Sequence, residues 1–354
     1  MKRYTESLIY LMGLLLFLFV ADSVFAQGPL RKGSEAEAYN NTGYDYYKNG
    51  QYDLAISYYS KAIEIEPRNA KAYYNRGNAY GAKGQYERAI SDLTKAIEIN
   101  PRHTASYNSR GFHYYRMDKL DDAILDFTRA IELSPKHFKA YYNRGLMYGR
   151  KGEYDKSISD TSKAIELNPW LFQAYVNRSI AYKLNGQYDL AIKDSNKAIQ
   201  LNPNHTNAYV SRGDAFSKKG QYERAFSDYN KAIEIDPNYA EAYNNRAGTY
   251  TLTNQYDLAI ADSNKAIEIN PELAEAYDTR GEVYYKKGQY DLAISDFNRA
   301  IELDPEIQDA YKNRGDAFSA KYKDKKRSCS DWKKACQLGL CENYDLAKKE
   351  GTCK

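Results

Sequence analysis

The chain has 354 residues, 43% of them hydrophobic and 28% charged, with a formal net charge of +4. That balance excludes a disordered tail, which has too little to bury, and a polybasic nucleic-acid binder, which carries a large cationic excess. With 4 His, and all 4 Cys between Cys329 and Cys353, most of the chain lacks the equipment for metal binding or nucleophilic catalysis, so no metal, cofactor or enzymatic activity is expected. The 37 Tyr against 11 Phe and 2 Trp are an odd filling for an ordinary core, because each buried phenol needs a polar partner, and they point to repetition.

At the N-terminus, Lys2 and Arg3 precede an apolar run from Leu8 to Val20, and Val24-Phe25-Ala26 has the small-residue spacing of a cleavage site. Residues 1–26 are expected to be a signal peptide, cleaved before Gln27. The apolar run spans roughly 20 Å as a helix, short of the ~30 Å hydrocarbon core, so cleavage is expected rather than retention as an anchor. No later segment is apolar enough to span a bilayer, and an exported, periplasmic or extracellular location is expected. Residues 27–35 form a short tether, and Ser34 with Glu37 makes a capping box at the first helix.

From Ala36 to Ile307 a 34-residue unit recurs in eight complete copies, each closed by a proline (Pro67, Pro101, Pro135, Pro169, Pro203, Pro237, Pro271, Pro305). Two helical periodicities flank a Gly-Gln-Tyr or similar turn, which reads as helix, turn, helix, stop. A degenerate ninth copy occupies 308–341. There QDAYKNRGDAF repeats a first helix, and SDWKKACQL at Ser330 to Leu338 overlays SDFNRAIEL at Ser295 to Leu303 after one inserted residue. Residues 342–354 are expected to form a capping helix.

In the second copy, Tyr73, Gly77, Tyr80, Ala89, Leu93, Ala96 and Pro101 stand at the fourth, eighth, eleventh, twentieth, twenty-fourth, twenty-seventh and thirty-second places. This pattern resembles the tetratricopeptide repeat (TPR) over residues 36–307. The resemblance implies an all-α, right-handed α-solenoid of about nine helix-turn-helix units. Departures fall at the eighth place in Ser179 and at the twenty-fourth in Leu93, Thr161, Ser195 and Ser263, where looser packing is expected. The tyrosine columns are assigned to the core.

Comparison of the copies adds two inferences. The seventh place is Arg in copies two to nine and the twenty-third is Asp in the same copies, counting Asp331 after the insertion. The first copy has Thr42 and Tyr58 instead. The joint loss predicts an Arg–Asp pair inside each hairpin. The overlay also puts Cys329 and Cys336 on one helix about 10 Å apart, too far for a disulfide. A final helix folded back antiparallel would pair Cys336 with Cys341 and Cys329 with Cys353. A crossed pairing would need another path, and a metal site matches no common zinc spacing. Such bridges would staple the cap of a solenoid end.

The resemblance implies that the second, fifth, sixth, ninth, twelfth and thirteenth places line a concave groove. The sixth place carries Asn41, Asn75, Asn143, Asn177 and Asn245, with Ser109, Ser211, Thr279 and Asn313 in the other copies. These side chains either bind the backbone of an extended peptide or form a solvated face. Copies three to six add Phe112, Tyr115, Tyr142, Leu146, Val176, Ile180, Leu184 and Val210, an apolar run expected to be the contact surface. Groove charge shifts from +4 in copies one to four to −4 in copies seven to nine. Trp170-Leu171-Phe172 sits at a loop junction as a second contact or a packing plug.

These features make a non-catalytic scaffold or adaptor of the cell envelope or extracellular space the leading expectation. It would bind a peptide or protein segment of unknown identity, with no nucleic acid and no stable membrane insertion after cleavage. A structural spacer, a self-associating element, or an accessory factor of envelope polysaccharide or secretion machinery is the alternative.

Overall fold

The computed structural model describes residues 32–353, so the expected signal peptide lies outside the described residues. Nineteen helices and no strand occur among them. They pair into hairpins in chain order: α1 (Lys32–Lys48) with α2 (Tyr52–Ile65), α3 (Ala70–Ala82) with α4 (Tyr86–Ile99), α5 (Thr104–Arg116) with α6 (Leu120–Leu133). Next in the chain come α7 (Phe138–Arg150) and α8 (Tyr154–Leu167); then α9 (Phe172–Leu184) pairs with α10 (Tyr188–Leu201), and α11 (Thr206–Lys218) with α12 (Tyr222–Ile235). The last are α13 (Ala240–Leu252) with α14 (Tyr256–Ile269), α15 (Ala274–Lys286) with α16 (Tyr290–Leu303), and α17 (Gln308–Tyr322) with α18 (Lys325–Gln337), followed by α19 (Glu342–Lys349). The chain divides into two compact units, 1–147 and 148–354, and within each the hairpins stack as an α-solenoid.

Local chemistry sets the boundaries. Each first helix ends in a left-handed residue, Gly at Gly50, Gly84, Gly152, Gly186, Gly220 and Gly288. Asp118 and Asn254 take the same conformation at φ 58° and 59°, being among the few side chains that tolerate it. The second helices of the first eight copies stop at an extended residue before the proline, as Glu66 does at φ −129°, because the proline ring bars helical geometry there. The first helix begins at Lys32, two residues before the expected cap, so Ser34 lies inside its first turn. Nothing in Lys32-Gly33-Ser34 stops a helix from fraying outward, and Glu35 favours the N-terminal end of the dipole.

The core inside each hairpin is a thin seam of alanines, fully buried at Ala89, Ala96, Ala123, Ala130, Ala225 and Ala232, among others. At the eighth place a Cβ on Gly43, Gly111, Gly213, Gly281 or Gly315 would come within 2.7–2.9 Å of the ring at the twenty-fourth place, Tyr59, Phe127, Tyr229, Phe297 or Trp332. Glycine is therefore required wherever the opposing residue is aromatic. The departures obey the same volume rule. Ser179 faces Ser195 and Ala247 shares its hairpin with Ser263, and all four are at most 0% exposed. The looser packing expected in the fifth hairpin is not found. Ser179 Oγ meets Ser195 Oγ at 2.7 Å and Ser211 Oγ at 2.9 Å, and donates to the Ala191 carbonyl at 2.9 Å, so a hydroxyl cluster replaces the ring.

The last unit is closed covalently. Cys329 pairs with Cys353 and Cys336 with Cys341, the nested arrangement. Trp332, Ala347 and Cys353 form the buried end of the array, and Trp332 Nε1 donates to Asp316 Oδ1 at 2.9 Å. The insertion in the ninth copy is absorbed where α17 runs on to Tyr322 and turns through Lys323 at φ 51°, with Asp324 capping α18 through Arg327 N.

Candidate functional site

The Arg–Asp pairs form within the hairpins. Arg76 holds Asp92 through Nε and Nη2 at 2.7 and 2.8 Å, and the same bidentate grip joins Arg110 to Asp126, Arg178 to Asp194, Arg212 to Asp228, Arg246 to Asp262, Arg280 to Asp296 and Arg314 to Asp331. The aspartates are largely buried, as at Asp194 with 6% of its side chain exposed. The Asp92 hydrogen bond holds the Arg76 guanidinium above its ordinary range.

The remaining guanidinium edge was not foreseen. Nη1 of each arginine donates to the twenty-fifth place of the preceding hairpin: Arg76 to Ser60, Arg110 to Thr94, Arg178 to Ser162, Arg246 to Asn230. Tyrosines at the fourth and eleventh places flank the cation, Tyr73 and Tyr80 lying 5.5 and 5.9 Å from Arg76 Cζ. The tyrosine excess is thus tied to the arginine column, since a desolvated guanidinium gains from aromatic faces. Among the described residues no hairpin precedes the first for it to grip, and it carries Thr42 where the others carry Arg. The unbroken run of Ser, Thr or Asn at the twenty-fifth place was the legible signal.

The donors of the arginine column named above are committed to the fold. The sixth-place amides are also engaged. Asn75 donates to Asn40 Oδ1 at 2.9 Å, Asn143 to Asn108 Oδ1 at 3.1 Å and Asn245 to Asp214 Oδ1 at 2.9 Å. The reading of these three as a free ladder for a peptide backbone is corrected: their Nδ2 groups tie neighbouring hairpins, because the preceding copy presents an acceptor at its fifth or ninth place. Asn41 is exposed, and Asn177 Nδ2 is buried with no partner.

The expected apolar surface divides as well. In the unit 1–147, Phe112 is 40% exposed, with Tyr115 at 6.1 Å between ring centroids. Tyr142 is half-buried, and Leu146 packs on Ala123, Phe127 and Met147. In the unit 148–354, Leu184 is exposed and Ile180 half-buried, whereas Val176 and Val210 are 3% and 4% exposed. Those two valines are corrected from contact surface to core. Val176 closes against Ala198 and Ala208, and Val210 against Phe216 and Ala225, where small alanines let the helices approach.

Trp170 is 77% exposed, which removes the plug reading for that residue, while Phe172 packs edge-on against His205 at 5.0 Å. His103 and His137 serve helix starts, His137 Nδ1 accepting from Ala140 N at 3.1 Å. His103 Nδ1 lies 2.6 Å from Ser106 Oγ, but Ser106 is fully buried and out of reach of any substrate. Burial lowers the pKa of both histidines.

One concavity stands out in the unit 1–147, a pocket of about 660 Å³ on the first-helix faces of the second and third hairpins. Phe112, Tyr47 and Tyr86 supply apolar walls, Asn78, Ser109 and Asn143 polar ones, and Arg116 its exposed mouth. Its floor is His113, 5% exposed, stacked on Tyr86 at 5.9 Å. A Cβ on Gly81 would lie 2.0 Å from His113 Cε1, so Gly81 makes room for the imidazole. Both ring nitrogens are buried without a partner, and burial together with Arg116 pulls the pKa down to about 4. Neither His113 nor Gly81 was picked out from the sequence, because each looks like an isolated departure until the two are seen to touch.

Repeat models match the chain twice over. One described as tetratricopeptide repeat matches residues 70–103 and 138–171, and one described as TPR repeat matches 43–84, 113–152, 180–220, 213–253, 248–288 and 281–321. The chain belongs to the tetratricopeptide repeat family, whose members bind protein or peptide partners. No curated relative matches it in sequence. Among solved structures, a tetratricopeptide repeat protein from Parabacteroides merdae ATCC 43184 is similar at TM-score 0.63 and 21% identity, over 70% of this chain and 98% of that one. MamA is 30% identical over 46% of this chain and 94% of its own, at TM-score 0.43. YrrB, described as a TPR protein with an unusual peptide-binding site, is 23% identical over 52% and 95%, at TM-score 0.46. The first supports the fold; the scores of the other two add nothing to it. Among the described residues no helix is long and apolar enough to cross a membrane.

Proposed function

We propose that the chain is a non-catalytic, exported scaffold that holds a peptide or protein segment of a partner on the first-helix faces of its hairpins. The observation that carries this is the pocket beside Phe112. It joins an exposed aromatic ring to unengaged polar groups, Asn78 and Ser109, where the rest of the repeat chemistry is committed to internal pairs. A rigid surface with such an anchor binds without ordering itself first. Export is supported by the N-terminal apolar run and by two disulfides, which persist in oxidising compartments.

A photo-crosslinking residue at Phe112 tests the binding surface, with one at Leu125 as control, since Leu125 is 68% exposed on a second helix. The scaffold reading expects a partner protein to be trapped from Phe112 and not from Leu125. Trapping from Leu125 alone sinks the groove assignment. Cell fractionation with N-terminal sequencing tests export and the start at Gln27. Self-association remains the second reading, favoured by Trp170, and a mass that rises with concentration and drops in Trp170→Ser would establish it.

A further inference from the structure

The chemistry of the pocket beside Phe112 narrows the partner, and this inference rests on the groove reading above. No Asp or Glu lines it. Lys83 on its rim is engaged by Asp53, whereas Arg116 lies over the Tyr86 ring at 5.2 Å and, among the described residues, pairs with no carboxylate. Arg116 stands three residues after His113 on α5, so the two side chains share one helix face. His113 is a buried polar group with no hydrogen bond, an arrangement that costs stability until something supplies the missing partner. Aromatic walls suit a short apolar stem, and the volume suffices for a few residues of extended chain.

We propose that this pocket receives an acidic side chain of the bound segment, its carboxylate held by the Arg116 guanidinium at the mouth and drawn toward the His113 imidazole at the floor. A cation is disfavoured because no anion awaits it, and an uncharged side chain, although it can hydrogen-bond, brings no charge to offset the Arg116 guanidinium. A carboxylate beside His113 also favours the imidazolium, so a proton is taken up on binding. Free His113 is neutral above about pH 4. Affinity therefore rises as the pH falls toward the range in which the bound imidazole is protonated, until the peptide carboxylate itself is protonated. The charged and titratable groups facing His113 are Tyr47 on α1, Lys83 after α3, Tyr86 on α4 and Arg116 on its own helix, and none is acidic.

The test is selection of a phage-displayed random peptide library on the purified chain, in parallel with Arg116→Gln. That side chain is exposed, and its helical content is checked first. Selected peptides are then synthesised with Asp or Glu and with the matching amide. The proposal expects acidic residues to be enriched, and the amide versions and Arg116→Gln each to weaken binding roughly 10- to 100-fold. Loss of the pH dependence in His113→Gln is expected as well. Peptides that bind equally in acid and amide form, or that ignore Arg116→Gln, overturn the acidic assignment and leave the groove standing. Selection of no peptide at all overturns both.

Discussion

Arg212 donates its Nη1 to Asn196 Oδ1 at 2.6 Å, and Asn196 belongs to the hairpin before the one that carries Arg212. The same guanidinium grips Asp228 of its own hairpin at 2.8 and 2.6 Å, so one side chain fastens a hairpin internally and to its predecessor. Asp228→Ala leaves a largely buried cation unpaired and is expected to cost about 3–5 kcal/mol in a denaturant titration. Asn196→Ala removes an exposed bond to a charged group and is expected to cost about 1 kcal/mol. Equal losses would mean that the pair within the hairpin is no stronger than the link between hairpins.

The contact between Gly81 and His113 predicts non-additivity. Gly81→Ala in a helix would ordinarily gain up to about 1 kcal/mol, but here the new methyl meets the imidazole and about 1–3 kcal/mol should be lost. In a His113→Ala background the same change should become neutral or stabilising. A double-mutant cycle by thermal melting reads the difference; additive effects would show that the ring moves aside freely.

The buried serines should split in sign. Ser263 Oγ is buried with no partner, so Ser263→Ala removes an uncompensated hydroxyl and is expected to raise stability by about 1 kcal/mol. Ser195 Oγ is engaged by Ser179, and Ser195→Ala is expected to lower it by about 1 kcal/mol. Melting temperatures of the two variants decide the point.

His113 gives the unit 1–147 an acid sensitivity. Its folded pKa is lowered to about 4 from 6.5, so the unfolded chain takes up a proton first as the pH falls. The stability it contributes is full above pH 6.5 and is lost between 6.5 and 4, up to about 3 kcal/mol. Asp278 works in the opposite direction. Burial, with Asp309 and Glu282 nearby, pushes it up to about 7, so its contribution is full below 3.8 and is lost as the pH rises toward 7. Hydrogen exchange across pH 4–7 should show first-unit amides loosening toward acid in wild type and not in His113→Gln. Amides around Asp278 should loosen toward neutral pH, and not in Asp278→Asn.

Reduction tests the staple. The bridge between Cys329 and Cys353, 24 residues apart, is expected to contribute about 3–4 kcal/mol and that between Cys336 and Cys341 about 2 kcal/mol, both by restricting the unfolded chain. Hydrogen exchange should quicken around Trp332 on reduction and stay unchanged around Phe112. Uniform quickening would mean that the cap governs the whole chain.

The hairpins and the Arg–Asp pairing were legible because each follows from a residue type recurring at a fixed interval, whereas helix length removed only a Cys329–Cys336 bridge and the nested pairing rested on the expected fold-back of the last helix. The groove was legible only in part. Phe112 and Leu184 are exposed as expected, while Val176 and Val210 are not, although all four stand at places of the same face. Whether a residue on that face reaches solvent depends on the residue the next copy sets against it. Ala208 lets the neighbouring helix cover Val176, and no periodicity within one copy records that.

The sequence by itself determined the number of hairpins, their ends and the pairs inside them, since these depend on local geometry and on residues about sixteen positions apart in a repeating frame. The tertiary structure alone decided which polar groups remain free. Arg212 reaching Asn196, Asn75 reaching Asn40 and Gly81 making space for His113 are contacts between copies, set by how closely two helices approach. That approach is fixed by the summed volumes of side chains from different hairpins, a quantity that no single position in the chain carries.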